Sequence, residues 1–340
     1  MIIINEKNGL AKIQSISNFI EKYMLHFNGA NMVASAKSLK KHLDGGGKLI
    51  ITLAGAFSTG ECGKLLAQLI KEDKVHAISC TGANIEEDVF RLLGQSHYGF
   101  NLKYNDLTPQ QEQEILDNDV NRVTDTIIPE KHVIDILYKG LDEVWFGEYE
   151  RRKAKGKMWH EYFYELFSNN YIQENLDKDA VLEDSWLYQA ALKNLPLCVP
   201  GNCDSTMGNV FAQLVMEEDI ESWIIKHDSE YMVRMANWYI ECCNNGQKLA
   251  MLTLGGGISA DFPQTISPFV VKDLNHPNGA VWSHMTVVTM DMSVTAGGFS
   301  GCALNEKITW AKLGVDSDKF LINSDFSIVF PLIAAYLLEL

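Results

Sequence analysis

The 340-residue chain predicts an α/β fold, a mostly parallel sheet with helices on both faces. Two observations carry that prediction. The apolar runs Lys48–Gly55 and Val75–Cys80 are each followed by a small-residue turn and a helical stretch, which is the signature of β-α-β units. Neither run alternates with polar residues, as expected of strands covered on both faces.

Taken in order, apolar positions from Ile13 to Leu43 recur at helical spacing, and Asp44 with Gly45, Gly46 and Gly47 ends that segment. The first apolar run leads through Ala56, Phe57, Ser58, Thr59 and Gly60 to a helix over Gly63–Lys71. The second leads through Thr81–Asp88 into a helix reaching Leu93. Pro196–Gly201, Leu249–Gly257, His284–Met292 and Lys319–Asp325 repeat the theme, giving five or six strands whose polar, glycine-rich carboxyl ends share one rim. Residues 101–195 carry the least signal. Thr108-Pro109 opens a helix there, and the basic strip 150–157 reads as a solvated helix end or a subunit contact. No composition break divides the chain, so one domain is expected over 1–340, with a helical lead (1–47) and an α/β body (48–340).

Lys and Arg number 29 against 44 Asp and Glu, and the net charge of −15 argues against sequence-independent binding to nucleic acid. Seven cysteines without a C-x-x-C pair, and no signal-peptide pattern, lead us to expect free thiols in a reducing, cytoplasmic setting. The histidines lack H-x-x-x-H or H-E-x-x-H spacing, so no bound metal is expected. No apolar run reaches the roughly 18 residues of a membrane span.

The stretch Gly297–Lys312 combines a glycine cluster with Glu306, Trp310 and Lys312. An acid and an indole face suit an organic cation, and a lysine beside an aromatic can be desolvated into a nucleophile. The same residues also fit a glycine-rich surface loop leading into a strand with a solvated lysine. Gly63-Lys64 is not a phosphate loop, because Ser58 stands where the motif needs glycine and Leu65 where it needs Ser or Thr. The turn Ser58–Gly63 suits either an anion on free backbone N–H groups or a helix cap by Ser58 or Thr59.

The segments Thr52–Thr59, Ser79–Asp88, Gly255–Gly257, Asn305–Lys312 and Ser324–Pro331, from Ala34 onward and in this order, resemble the deoxyhypusine synthase family, in particular its bacterial members. The resemblance implies a Rossmann-like fold, a homotetramer, and NAD held between subunits. It implies oxidation of spermidine to an imine, capture of the aminobutyl group by a lysine, transfer to an acceptor amine, and reduction by the same cofactor. Lys312 takes the position of that lysine, with Trp310 and Glu306 matching beside it. The cofactor contacts carried over are Ser58, Thr59, Thr81, Gly82, Ala83, Glu87, Asp204, Asp291, Met292 and Asp325.

The departures shape the expected function. Asp261 stands where the family has a histidine, Asn209 and Phe299 stand where it has two polyamine-holding aspartates, and Ala311 replaces the glycine before the lysine. Glu306, Trp310 and Glu87 are then expected to recognise the amine, with Asp261 as base. Burial against Trp310 is expected to leave Lys312 uncharged. The leading expectation is transfer to a small amine such as putrescine, giving homospermidine. The alternatives are modification of a translation-factor lysine and a non-catalytic binding protein.

Overall fold

The computed structural model describes residues 15–146, 156–217, 220–291 and 303–340. Six strands, β1 (Lys48–Leu53), β2 (Ala77–Cys80), β6 (Leu197–Cys198), β7 (Leu249–Leu254), β8 (Trp282–Thr289) and β9 (Leu313–Asn323), form one sheet in the order β6-β2-β1-β7-β8-β9. Every pair in it is parallel. Counted along the chain this is the order 3-2-1-4-5-6 of a doubly wound nucleotide-binding sheet, with its switch point between β1 and β7. All of β7 is buried, as its sequence, apolar but for Thr253, leads one to expect of a strand covered on both faces.

The expected helical lead is two helices. Ser15 caps Ile16–Tyr23 by accepting from the Asn18 N–H at 3.2 Å, and a second helix runs over Phe27–Asp44. The chain breaks between them at Met24 and His26, whose ψ angles of 70° and 162° are non-helical, and Phe27 enters the second helix at a left-handed φ of 55°. Apolar periodicity carries across that break and so hides it. At the far end Gly45 is the cap residue and Gly46, at φ 80°, turns the chain into β1.

The region of weak signal contains a second, antiparallel sheet, β3 (Gly99–Phe100), β4 (Asn121–Val123) and β5 (Thr126–Ile128), in the order β3-β5-β4. These strands are too short for a period of two to register. The helix Pro109–Asp117 begins as its sequence predicts, with Thr108 and Gln111 forming a reciprocal capping box. Aromatic packing carries the next part of the core. Trp159 lies 4.9 Å from Phe211 and Trp145 lies 5.0 Å from Tyr162, ring centre to ring centre, and the Trp145 indole donates to the Tyr162 carbonyl at 2.7 Å.

Candidate active site

Lys312 is the last residue before β9. The Trp282 N–H donates to its carbonyl at 3.0 Å, and its own N–H donates to the Lys307 carbonyl at 3.0 Å. Both backbone groups are therefore fixed, and the side chain is aimed rather than free. It is 12% exposed, and its ammonium donates to Asp261 Oδ1 at 2.9 Å. Asp261 lies in the first turn of the helix Ile258–Gln264, which starts from Gly257 at φ 68°, just beyond the carboxyl end of β7. That turn carries the carboxylate from the sheet's crevice to the lysine.

Around this pair lies a cavity of 210 Å³ lined by Asp261, Thr265, Pro268, Ala303, Glu306, Lys307, Trp310 and Lys312. Four residues expected to work together, Lys312, Asp261, Glu306 and Trp310, thus meet in one cleft. Trp310 differs from expectation in one respect. It is 59% exposed, because it sits in the turn following Glu306–Ile308 and faces outward, so it does not by itself desolvate the lysine. Glu306 is also exposed. Glu87 and Asn209 do not line this cleft. Glu87 belongs to the helix Gly82–Gly94, and Asn209 is exposed on Thr206–Met216. Phe299 and Met292 lie outside the described residues.

The carried-over cofactor positions all follow carboxyl ends of strands: Ser58 and Thr59 after β1, Thr81, Gly82 and Ala83 after β2, Asp204 after β6, Asp291 after β8 and Asp325 after β9. The helix after β1 starts at Gly63, not at Ser58, with Cys62 as its cap residue and no side-chain cap bond. The reason is that the N–H groups of Gly60, Glu61 and Cys62 are already bonded to Ala56, Ser58 and Phe57 carbonyls. The buried Ser58 hydroxyl donates to the Asn84 carbonyl at 2.7 Å and accepts from the Trp186 indole at 3.0 Å. Asp325 caps the final helix, accepting from the Ser327 N–H at 2.8 Å, while Asp204 and Asp291 are exposed.

The crevice between β1 and β7 suits a dinucleotide. Gly255, at φ 89°, approaches Ala54 so closely that a Cβ would meet the Ala54 Cβ at 2.8 Å, and such closeness is what lets backbone reach a pyrophosphate. On the neighbouring helix Glu87 Oε2 is buried without a hydrogen-bond partner. Burial, reinforced by Glu86, raises the Glu87 carboxyl to about 7. Burial likewise raises Glu86 and Asp88 to about 7, although Glu86 accepts from the Thr206 and Met207 N–H groups and Asp88 accepts from the Leu187 N–H. A half-buried acid with one shielded oxygen open to a partner fits a polar ligand such as a ribose hydroxyl.

Sequence reasoning passed over two residues here. Asn84 bonds the Ser58 N–H, the Gly55 carbonyl and the Thr81 hydroxyl, locking the first turn onto the second. Its place inside the Ser79–Asp88 motif was the available signal. Lys307 is 5% exposed and donates to Gln264 Oε1 at 2.6 Å. Nothing in the sequence separates a buried lysine from a solvated one.

Fold and site together define a doubly wound α/β protein with a lysine–aspartate pair set in a cleft. The family model for deoxyhypusine synthase matches residues 18–337, and the chain belongs to that family, whose members are aminobutyl transferases. It is 25% identical over 326 residues to a probable deoxyhypusine synthase 1 of Methanosarcina mazei, covering 94% of this chain and 90% of that one. It is 22% identical to a deoxyhypusine synthase-like protein of Elusimicrobium minutum, covering 86% and 72%. A crystal structure of a candidate deoxyhypusine synthase from Entamoeba histolytica shares the fold, with a TM-score of 0.54 at 10% identity, covering 100% of this chain and 97% of that one. Among the described residues no helix is long and apolar enough to cross a membrane.

Proposed function

We propose that this chain transfers the aminobutyl group of spermidine to a small acceptor amine, through an imine on Lys312 that forms with release of 1,3-diaminopropane and is then displaced by the acceptor, freeing the lysine. The simplest such acceptor is putrescine, which gives homospermidine. The observation that carries this reading is the contact between the Lys312 ammonium and Asp261 inside a cleft edged by Glu306 and Trp310.

An amine attacks only after losing its proton, and Asp261 Oδ1, at 2.9 Å, is placed to receive it. The histidine of the family would do this as a neutral base, whereas the aspartate also holds the lysine in position beforehand. Glu306 and the face of Trp310 offer an acid and a π surface to the substrate's cationic end. Ser58, Thr59, Thr81, Asp204 and Asp325 stand where NAD would be held, with Gly82 and Ala83 keeping the backbone open and Asp291 at the same rim. Bound NAD supplies the hydride acceptor that turns the secondary amine of spermidine into an imine and later returns that hydride. Among the described residues the cleft around Lys312 is lined by none of the rim residues, which supports assembly with further copies, as a homotetramer with sites at its interfaces.

The names of its relatives favour a second reading, modification of a protein lysine, and Asp261 and Asn209 weigh against it. Incubation with NAD and labelled spermidine, then borohydride reduction and peptide mapping, tests the proposal. An aminobutyl adduct on Lys312 is expected, and its absence would overturn the reading. Chromatography after adding putrescine then tests the acceptor.

A further inference from the structure

The direction of the Lys312 side chain is set one residue earlier. Ala311, at φ 56°, is where a left-handed backbone turns the chain from Glu306–Ile308 into β9. Its N–H donates to the Ile308 carbonyl at 3.0 Å. Its carbonyl accepts from the Ser267 hydroxyl at 2.7 Å. Ser267 is fully buried and has one proton to give. The Ala280 carbonyl lies farther off, at 3.5 Å, and already accepts from the Tyr239 hydroxyl at 2.7 Å, so the Ser267 proton goes to Ala311.

Ser267 lies on the short helix Ile266–Pro268, directly after the helix Ile258–Gln264 that carries Asp261. That segment is also pinned at its other end, where the Ser79 hydroxyl of β2 donates to the Ser259 carbonyl at 2.6 Å. Asp261 therefore rides on backbone tied to the sheet on one side and to Ala311 on the other. The 2.9 Å contact with Lys312 closes between two parts of the chain that Ser267 joins. A glycine at 311 would hold positive φ without help, whereas an alanine there is strained and relaxes once nothing holds it. We infer that Ser267 is a positioning residue for Lys312, its hydrogen bond keeping Ala311 in the conformation that aims the lysine at Asp261. The inference rests on Lys312 as the nucleophile of the proposed transfer, and it makes the aim of that nucleophile depend on a hydroxyl that does not line the cleft.

The test reads Lys312 without turnover. Wild type, Ser267→Ala, Ser267→Thr, Ala311→Gly and the Ser267→Ala, Ala311→Gly double variant are treated with trinitrobenzenesulfonate. Peptide mapping then gives modification of Lys312 relative to the exposed Lys131 of the same sample. Lys312, 12% exposed and bonded to Asp261, should react slowly in the wild type. Ser267→Ala is expected to raise the Lys312 to Lys131 ratio at least about fivefold, because local release precedes labelling. Ser267→Thr is expected to keep the wild-type ratio, and Ala311→Gly to restore it in the double variant. An unchanged ratio in Ser267→Ala, or an equal rise in the double variant, overturns the inference. So does a rise matched by new thiol reactivity at Cys80 and Cys198, both sealed from solvent, since that is general loosening of the fold. If Ser267→Thr proves too large for its site, the double variant still decides. Borohydride trapping of the wild type with NAD and spermidine separates the two levels. A missing Lys312 adduct with a Ser267-dependent ratio sinks transfer alone, and an adduct with an indifferent ratio sinks this inference alone.

Discussion

The Ser267 hydroxyl donates to the Ala311 carbonyl at 2.7 Å, and Ala311, at φ 56°, holds a left-handed backbone immediately before Lys312. The family's glycine at this position would take that conformation freely, whereas alanine pays about 1–2 kcal/mol for it. Ala311→Gly relieves that strain but loosens the unfolded chain by roughly 0.4–1 kcal/mol, so a net change within about 1 kcal/mol, towards stability, is expected. Ala311→Val is expected to destabilise by more than about 2 kcal/mol, because a β-branched residue tolerates positive φ worst. Urea unfolding midpoints check both.

Lys312→Arg is expected to fold with unchanged secondary structure and to form no borohydride-trapped adduct. Guanidinium can keep the contact with Asp261, but it stays protonated and cannot attack. Circular dichroism and mass spectrometry of the treated variant read the two halves of this prediction.

Gly255→Ala places a Cβ 2.8 Å from the Ala54 Cβ on a residue at φ 89°. A loss of roughly 1–3 kcal/mol is expected from the backbone strain alone. The crevice also narrows, so NAD affinity, read by fluorescence titration, should fall at least tenfold. Unchanged affinity in a folded variant would place the cofactor elsewhere.

Stability should peak in mildly acidic solution, through two opposed groups of side chains. Burial lowers His284 from 6.5 to about 3 and His76 to about 4, and it lowers His42 as well. Their contribution is complete above the unfolded value of about 6.5 and is lost as pH falls towards their folded values. Glu86, Glu87 and Asp88 are raised to about 7. Their contribution is complete below the unfolded value of about 4 and is lost as pH rises through 7. The two groups largely offset each other between about pH 4 and 6.5, so the melting temperature should rise as pH falls through 7, stay nearly level, and drop below about 4. Glu87→Gln should flatten the alkaline side and leave the acid side alone.

β1, β2 and β7 were legible because two-sided burial writes itself as apolar runs, and the rim followed from the small residues after them, whereas β9, half exposed, begins at Leu313 rather than at the expected Lys319. Glu306, Trp310 and Lys312 were legible through spacing and family likeness, and they do meet. What stayed hidden depends on contacts across the fold. The β3–β5 sheet is built from strands of two or three residues, non-helical backbone at Met24 and His26 interrupts a continuous helical pattern, and the buried position of Lys307 involves Gln264, 43 residues away.

Trp310, at 59% exposure, has an optical consequence. Trp159, Trp186 and Trp282 are sealed from solvent, so acrylamide should quench Trp310, together with the half-exposed Trp223, long before it reaches them. In a Trp223→Phe, Trp238→Phe background, which also removes the partly buried Trp238, the quenchable emission becomes a built-in gauge of whether anything has settled at the mouth of the cleft, readable without label or turnover.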